Sequence, residues 1–214
     1  MNFFFSSGES YVAKCGSNSL LGGPFQQIPI DTFLRHPEYE RVAGDTIANN
    51  IALAFLKNPV QCGDRVQFIE LQTDHVTEGS TYRVYGFGND EHPNSADDIK
   101  PTYALKYLES QLYDNDKCRS YFRNLLYYNE IPAGTFCGMT KDPNGSQCQL
   151  DQGGPFVDTA TERQIAVVSY VSPFCSIERP AVYTSVQYFL PWIIDNIQPS
   201  NYRTKVEKKK NKWH

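Results

Sequence analysis

No apolar run in this 214-residue sequence approaches the roughly 18 residues of a membrane-crossing helix; the longest is 51–56, IALAFL. A protein that spans a membrane by helices is therefore excluded. No two cysteines form a CxxC pair, and none stands at zinc-site spacing from a histidine, so no structural or catalytic zinc is expected. Internal repeats and low-complexity linkers are missing, which leaves one globular unit of ordinary size. The start, Met1 to Phe5, does not have the form of a secretory signal: its apolar stretch is three residues, no basic segment precedes it and no cleavage site follows.

Clustered positive charge is missing from the body of the chain. Arg203, Lys205, Lys208, Lys209, Lys210 and Lys212 stand against the single acid Glu207 at the C-terminus, leaving 14 basic and 23 acidic residues in 1–202, a net charge of −9. Phosphate recognition needs grouped cations, so a nucleic-acid-binding body is not expected. Residues 201–214 read as a solvated, disordered basic tail, with polyanion binding by Lys205 to Lys212 the weaker reading.

Aromatic residues are abundant at 14%, with 14 Tyr and 13 Phe beside 14 Gly and 13 Pro. That mix favours short strands joined by punctuated turns. Strand-like segments fall at 10–14, 26–34, 51–56, 66–71, 81–87, 102–112, 154–157 and 164–171. Turns are marked at Gly22-Gly23-Pro24, Asn58-Pro59, His92-Pro93-Asn94 and Asp142-Pro143-Asn144-Gly145. Residues 115–121 predict a short helix capped by Asp114 or Asn115, and 186–197 a closing helix that Pro191 should delay or kink. The expected class is all-β. The six cysteines, Cys15, Cys62, Cys118, Cys137, Cys148 and Cys175, are even in number and dispersed, as disulfide partners in an oxidising compartment are. They point outside the cell while the N-terminus shows no signal, so we expect the beginning of the chain to be missing.

The most informative segment is Cys148-Gln149-Leu150-Asp151-Gln152-Gly153-Gly154-Pro155-Phe156-Val157. It resembles the C-x-G-D-S-G-G-P signature of the trypsin/chymotrypsin family of serine proteases (peptidase S1). Further landmarks follow that family's order. His36-Pro37-Glu38-Tyr39 is similar to HPxY, Asn49-Asn50-Ile51-Ala52-Leu53 to NDIAL, Gly86-Phe87-Gly88 to GWG, and Phe136-Cys137-Gly138 to MCAG. Ser169-Tyr170-Val171 is similar to SWG, Arg179-Pro180-Ala181-Val182-Tyr183 to KPGVY, and Pro191-Trp192-Ile193 to the closing helix. The resemblance covers about residues 10–197. It implies two six-stranded antiparallel barrels and a C-terminal helix, with the first barrel incomplete. The expected domain is 1–200, lacking its N-terminal strands, followed by the tail.

Peptide hydrolysis in that family needs a hydroxyl nucleophile, a histidine base and a carboxylate that orients it. By the resemblance, Gln152 holds the nucleophile position, and a carboxamide is not a nucleophile. Asn50 holds the carboxylate position, where an amide can hold the wrong histidine tautomer. No TAAHC segment precedes them. Of the four histidines, His36 belongs to the HPxY landmark and takes a structural role, and His75, His92 and His214 have no family counterpart. Leu150 replaces the glycine of the oxyanion hole, adding a side chain where backbone freedom and space are needed. Val171 and Ala181 replace the glycines that wall the specificity pocket, Ser169 and Tyr170 line it, and Ser146 at its base carries no charge. Asp151 is retained, but no IVGG terminus is present to pair with it.

The resemblance also implies the disulfides Cys118–Cys137 and Cys148–Cys175. A third family bridge is lost at both ends, at Tyr82 and Asp158, which leaves Cys15 and Cys62, either joined to each other or with Cys15 free. Asn144-Gly145-Ser146 is an N-glycosylation sequon. Asp90, Glu91, Asp97 and Asp98 read as a solvated loop, and neither metal nor cofactor is expected. The resulting expectation is a secreted, non-catalytic homologue that works by binding, as decoy, cofactor or regulator in an extracellular proteolytic pathway, with a protease or a protease substrate as partner. The alternatives are a serine endopeptidase by family membership and a truncated product that does not fold.

Overall fold

The computed structural model describes residues 2–5, 11–41, 47–74, 76, 79–89, 98, 100–126, 131–143, 145–171 and 175–198. The sequon residue Asn144, the histidines His75, His92 and His214, the acids Asp90, Glu91 and Asp97, and the basic tail lie outside them.

Among the described residues, twelve strands and two helices build two β units. The first is a four-stranded antiparallel sheet in the order β1 (Asn2–Phe5), β2 (Tyr11–Cys15), β3 (Gln26–Arg35) and β6 (Ala52–Leu56). A small hairpin of β4 (Glu40–Arg41) and β5 (Ile47–Ala48) sits between β3 and β6 in sequence. The second unit is a closed six-stranded barrel. It contains β7 (Tyr82–Gly86), β8 (Lys106–Tyr113), β9 (Thr135–Thr140), β10 (Pro155–Asp158), β11 (Gln164–Tyr170) and β12 (Ala181–Ser185), in the ring order β7-β8-β9-β12-β11-β10.

The barrel owns the main core. Tyr82, Val84, Phe156, Ile165, Val168 and Tyr183 are buried at its centre. Phe156 packs on Tyr183 with ring centroids 4.3 Å apart and on Tyr82 at 5.1 Å. Alternate residues of each short strand point inward, so the aromatic-rich, period-two pattern fills the interior without a long apolar run. Helix α1 (Asn115–Leu126) begins at the N-cap Asp114, whose carboxylate accepts the Lys117 N–H at 2.8 Å, and Cys118–Cys137 pins it to β9. Helix α2 (Val186–Ile197) begins at Ser185, whose hydroxyl oxygen accepts the Tyr188 N–H at 3.3 Å. Its buried Val186, Phe189 and Ile193 pack against Ile51 and Leu53 of the first unit. The other seam is a short ladder: Leu20 N–H donates to Tyr103 O, and Leu105 N–H donates to Asn18 O, each at 2.8 Å.

Several expectations change. Segment 66–71 is not a strand. It has only isolated bridges, at Val66 and at Leu71; Phe68 and Ile69 face solvent, Phe68 being 81% exposed, while Leu71 packs against the buried residues of α2. Among the described residues no strand pairs with it along its length. The expected strand 102–112 begins at Lys106, because 103–105 turn aside to bond 18–20. Helix α1 runs five residues further than 115–121. Helix α2 starts at Val186, ahead of Pro191, because the Ser185 cap fixes its first turn. Strands β1, β9 and β12 have no clear strand pattern in the sequence: β9 and β12 are short and glycine- or serine-bounded, and their pairing partners lie far away in sequence. The Cys15–Cys62 bridge does not form. Cys15 points inward from β2 and is buried, Cys62 faces solvent, and both are free. Cys148 and Cys175 are bonded.

Candidate functional site

The loop 148–154 is a tight turn locked by its own backbone. Asp151 N–H donates to Cys148 O at 3.1 Å, and Gly154 N–H donates to Asp151 O at 2.8 Å. Gly153 N–H then donates to Val168 O at 2.8 Å, tying the turn to β11. Two residues in this turn have left-handed backbone: Gly153 at φ +83° and Leu150 at φ +77°. Glycine takes that conformation freely. A branched residue such as Leu150 does so at a steric cost of roughly 1–3 kcal/mol, which the surrounding hydrogen bonds must hold in place.

Gln152 stands exposed at the top of this turn. Its side-chain oxygen Oε1 accepts the Leu150 N–H at 2.9 Å. The backbone donor that the resemblance assigns to an oxyanion is thus engaged by the side chain that replaces the nucleophile. Leu150 is half exposed above it and adds an apolar surface to the site.

Asp151 points the other way, into the protein. Its Oδ1 accepts the Gly88 N–H at 2.7 Å and its Oδ2 accepts the Cys148 N–H at 2.9 Å. Any side chain at Gly86 or Gly88 would overlap this carboxylate. The G-F-G landmark is therefore explained by the acid it cradles, a relation that the sequence carries only as two separate motifs. Burial pushes the Asp151 carboxyl above the usual carboxylate range, and the two N–H bonds only partly offset it. Among the described residues no cation is paired with it.

Asn50 and Ser169, 119 residues apart, meet here. The Asn50 amide nitrogen donates to the Ser169 hydroxyl oxygen at 3.0 Å, and the Asn50 backbone oxygen accepts from the Thr184 hydroxyl at 3.0 Å. Ser169 is 7% exposed. Asn49 takes φ +51° so that its amide donates to Glu38 O at 2.9 Å, and this fixes the loop that presents Asn50. His36 lies in the same loop pair, but it turns into the protein. Its ring packs against Trp192 at 4.9 Å and Phe189 at 5.2 Å, and its Nδ1 accepts the Glu38 N–H at 3.3 Å.

The pocket positions divide. Val171 and Ala181 belong to the barrel core, with 3% and 2% exposure. Their side chains occupy volume that glycines would leave open. Tyr170 packs edge-on to Phe122 at 5.8 Å. Ser146 donates to Gln147 O at 3.1 Å and lines, with Gln147 and Asp151, a cavity of about 250 Å³. A larger cleft of about 1410 Å³ runs from Leu150, Gln152 and Gly154 to Cys15 and Leu56 of the first sheet. Sequence reasoning missed it, because it arises between segments more than 90 residues apart.

The family model described as Trypsin matches residues 7–193. Human Trypsin-3 is 30% identical over 183 residues, covering 83% of this chain and 54% of that protein. Rat Trypsin-4 is 28% identical over 174 residues, covering 81% of this chain and 65% of that protein. Among solved structures, mouse neuropsin, described as a serine protease expressed in the limbic system of mouse brain, superposes with a TM-score of 0.77 at 25% identity. That match covers 90% of this chain and 81% of the neuropsin chain. This chain belongs to the trypsin family, and it spans about half to two thirds of the length of these two trypsins.

Proposed function

We propose that this chain is a non-catalytic member of the trypsin family that acts outside the cell by binding, as decoy, cofactor or regulator of a proteolytic pathway. The observation that carries the reading is Gln152. It supplies no nucleophile, and its carboxamide oxygen holds the Leu150 N–H that an oxyanion would need. Three further features support it. Asn50 is a hydrogen-bond donor toward Ser169 where a carboxylate would accept, His36 is committed to aromatic packing, and Val171 and Ala181 sit in the barrel core. The disulfide-bonded scaffold is meanwhile kept, so the fold can still present loops to a partner. The two disulfides and the family's common setting support an extracellular location.

The competing reading is a serine endopeptidase that uses another hydroxyl. A fluorophosphonate probe distinguishes the two. No labelling of residues 1–214 is expected under conditions that label trypsin completely. Labelling that disappears in Ser169→Ala or Ser146→Ala would establish the enzyme instead.

A further inference from the structure

Helix α2 is largely apolar on both of its faces, and the protein covers only one of them. Val186, Phe189 and Ile193 are buried, packed against Ile51 and Leu53. On the outer side, Tyr188, Pro191, Ile194 and Ile197 recur every third residue and form one inclined stripe. All four are exposed, Tyr188, Ile194 and Ile197 by about half. Asp195 is the one charged residue in this helix. Helix α1, of the same length, carries Asp116, Lys117, Arg119 and Arg123. A surface helix ordinarily sets charged residues on its outer side, whereas a helix that is apolar all round has both sides covered.

The chain that leaves this helix carries charge of one sign. Arg203, Lys205, Lys208, Lys209, Lys210 and Lys212 follow Ile197, with Glu207 as the single acid among them and Tyr202 and Trp213 on either side. Arg203 is six residues beyond Ile197 and Lys212 fifteen, so at no more than about 3.6 Å per residue the cations are tethered within about 20–55 Å of the stripe. Residues 1–202 carry a net charge of −9, so an anionic surface repels the body and attracts this end. Apolar side chains with a cluster of cations tethered beside them form the paired signal that holds a protein at an anionic lipid surface. Tryptophan and tyrosine are the side chains favoured at the boundary of such a surface.

We propose that the outer stripe of α2 and the basic segment 203–212 together form a docking surface for an anionic phospholipid membrane. Pro191, Ile194 and Ile197 enter the headgroup boundary, with Tyr188 at the margin, and the lysines supply the attraction to the anionic headgroups. The contact is peripheral: among the described residues no helix is long and apolar enough to cross a bilayer. It orients the molecule with α2 toward the lipid and the acidic body away from it. This surface does not depend on whether Gln152 has ended catalysis, so the two readings fail independently.

The test sediments residues 1–214 with vesicles of phosphatidylcholine, alone or with about 30% phosphatidylserine, at about 0.1 M salt. Phosphatidylserine should raise binding at least about tenfold, and about 0.5 M salt should remove most of that gain. Lys208→Gln, Lys209→Gln and Lys210→Gln together should lower binding at least about tenfold. Ile194→Ser with Ile197→Ser should also lower it at least about tenfold, with the urea midpoint showing that each variant is folded. Should the double variant not fold, Ile194→Ser alone takes its place, with a loss of at least about threefold. The proposal is overturned if phosphatidylserine gives no gain. It is overturned as well if the stripe variant binds as the native chain does, and heparin that competes the native chain off the vesicles would then assign the tail to a soluble polyanion. A native dimer that the stripe variant breaks, with no vesicle binding, also overturns it and makes a second copy the cover.

Discussion

Replacing Gln152 with Ser puts a hydroxyl back at the nucleophile position, and we expect almost nothing to follow. Serine is too short to reach around the turn, so the Leu150 N–H, now held by Gln152 at 2.9 Å, is released. One oxyanion donor is worth about 10²–10³ in rate. Among the described residues no histidine stands ready to use it: His36 accepts the Glu38 N–H and packs on Phe189 and Trp192, and it is the one histidine described. Asn50 donates to Ser169, and a carboxylate-to-amide change alone costs about 10⁴ in an intact serine protease. Losses within one catalytic unit do not add, and loss of the base alone removes about 10⁶. Gln152→Ser is thus expected at least about 10⁶-fold below an active trypsin in kcat/KM, or about 8 kcal/mol at 1.36 kcal/mol per decade. Adding Asn50→Asp should not raise it by more than about tenfold, since an orienting acid acts through a histidine. The assay is hydrolysis of a peptide anilide together with active-site titration by a nitrophenyl ester. A stoichiometric burst, or a rate within about 10³ of trypsin, would refute the reasoning and show that a base reaches residue 152.

Three other outcomes follow from the structure. Burial raises the Asp151 carboxyl above its unfolded value of about 3.9, so the folded state holds the extra proton; the stability from this group is full below about pH 4 and is lost as pH rises through the raised value. Urea unfolding between pH 4 and 7 should show the native chain losing stability relative to Asp151→Asn as pH rises, and a flat or opposite difference would contradict the assignment. Tyr183 is fully buried with its hydroxyl beside that of Ser110, which donates to Met139 O, while its ring packs on Phe156 and Phe136; Tyr183→Phe should leave the fold intact and change stability by less than about 1 kcal/mol, read from the urea midpoint. Removing Cys118–Cys137, which closes a separation of 19 residues, as the double alanine variant should lower stability by about 3 kcal/mol, whereas Cys62→Ala, at an exposed free thiol, should change it by less than about 0.5 kcal/mol.

Much of the fold was legible in the sequence because it rests on local physics. Period-two alternation marked 26–34, Asp114 or Asn115 marked the start of α1, and the family resemblance implied the disulfides Cys118–Cys137 and Cys148–Cys175. The chemical identity of Gln152 and Asn50 is likewise a property of the sequence, since no folding turns an amide into a nucleophile or a carboxylate. Arrangement in space was not legible. Whether 66–71 becomes a strand depends on a partner to pair with, and none of the described strands takes that place. The carboxamide of Gln152 turns back on Leu150 because the 148–154 turn brings them together. Asp151 requires Gly86 and Gly88 because three-dimensional packing sets its carboxylate against them. Among the described residues the first sheet ends at β6 while the second closes, because closure is a property of the whole ring. Hydrogen bonds between strands are satisfied by whatever neighbours the fold supplies, so a strand's own residues specify its pattern, while its neighbours are decided only in the tertiary structure.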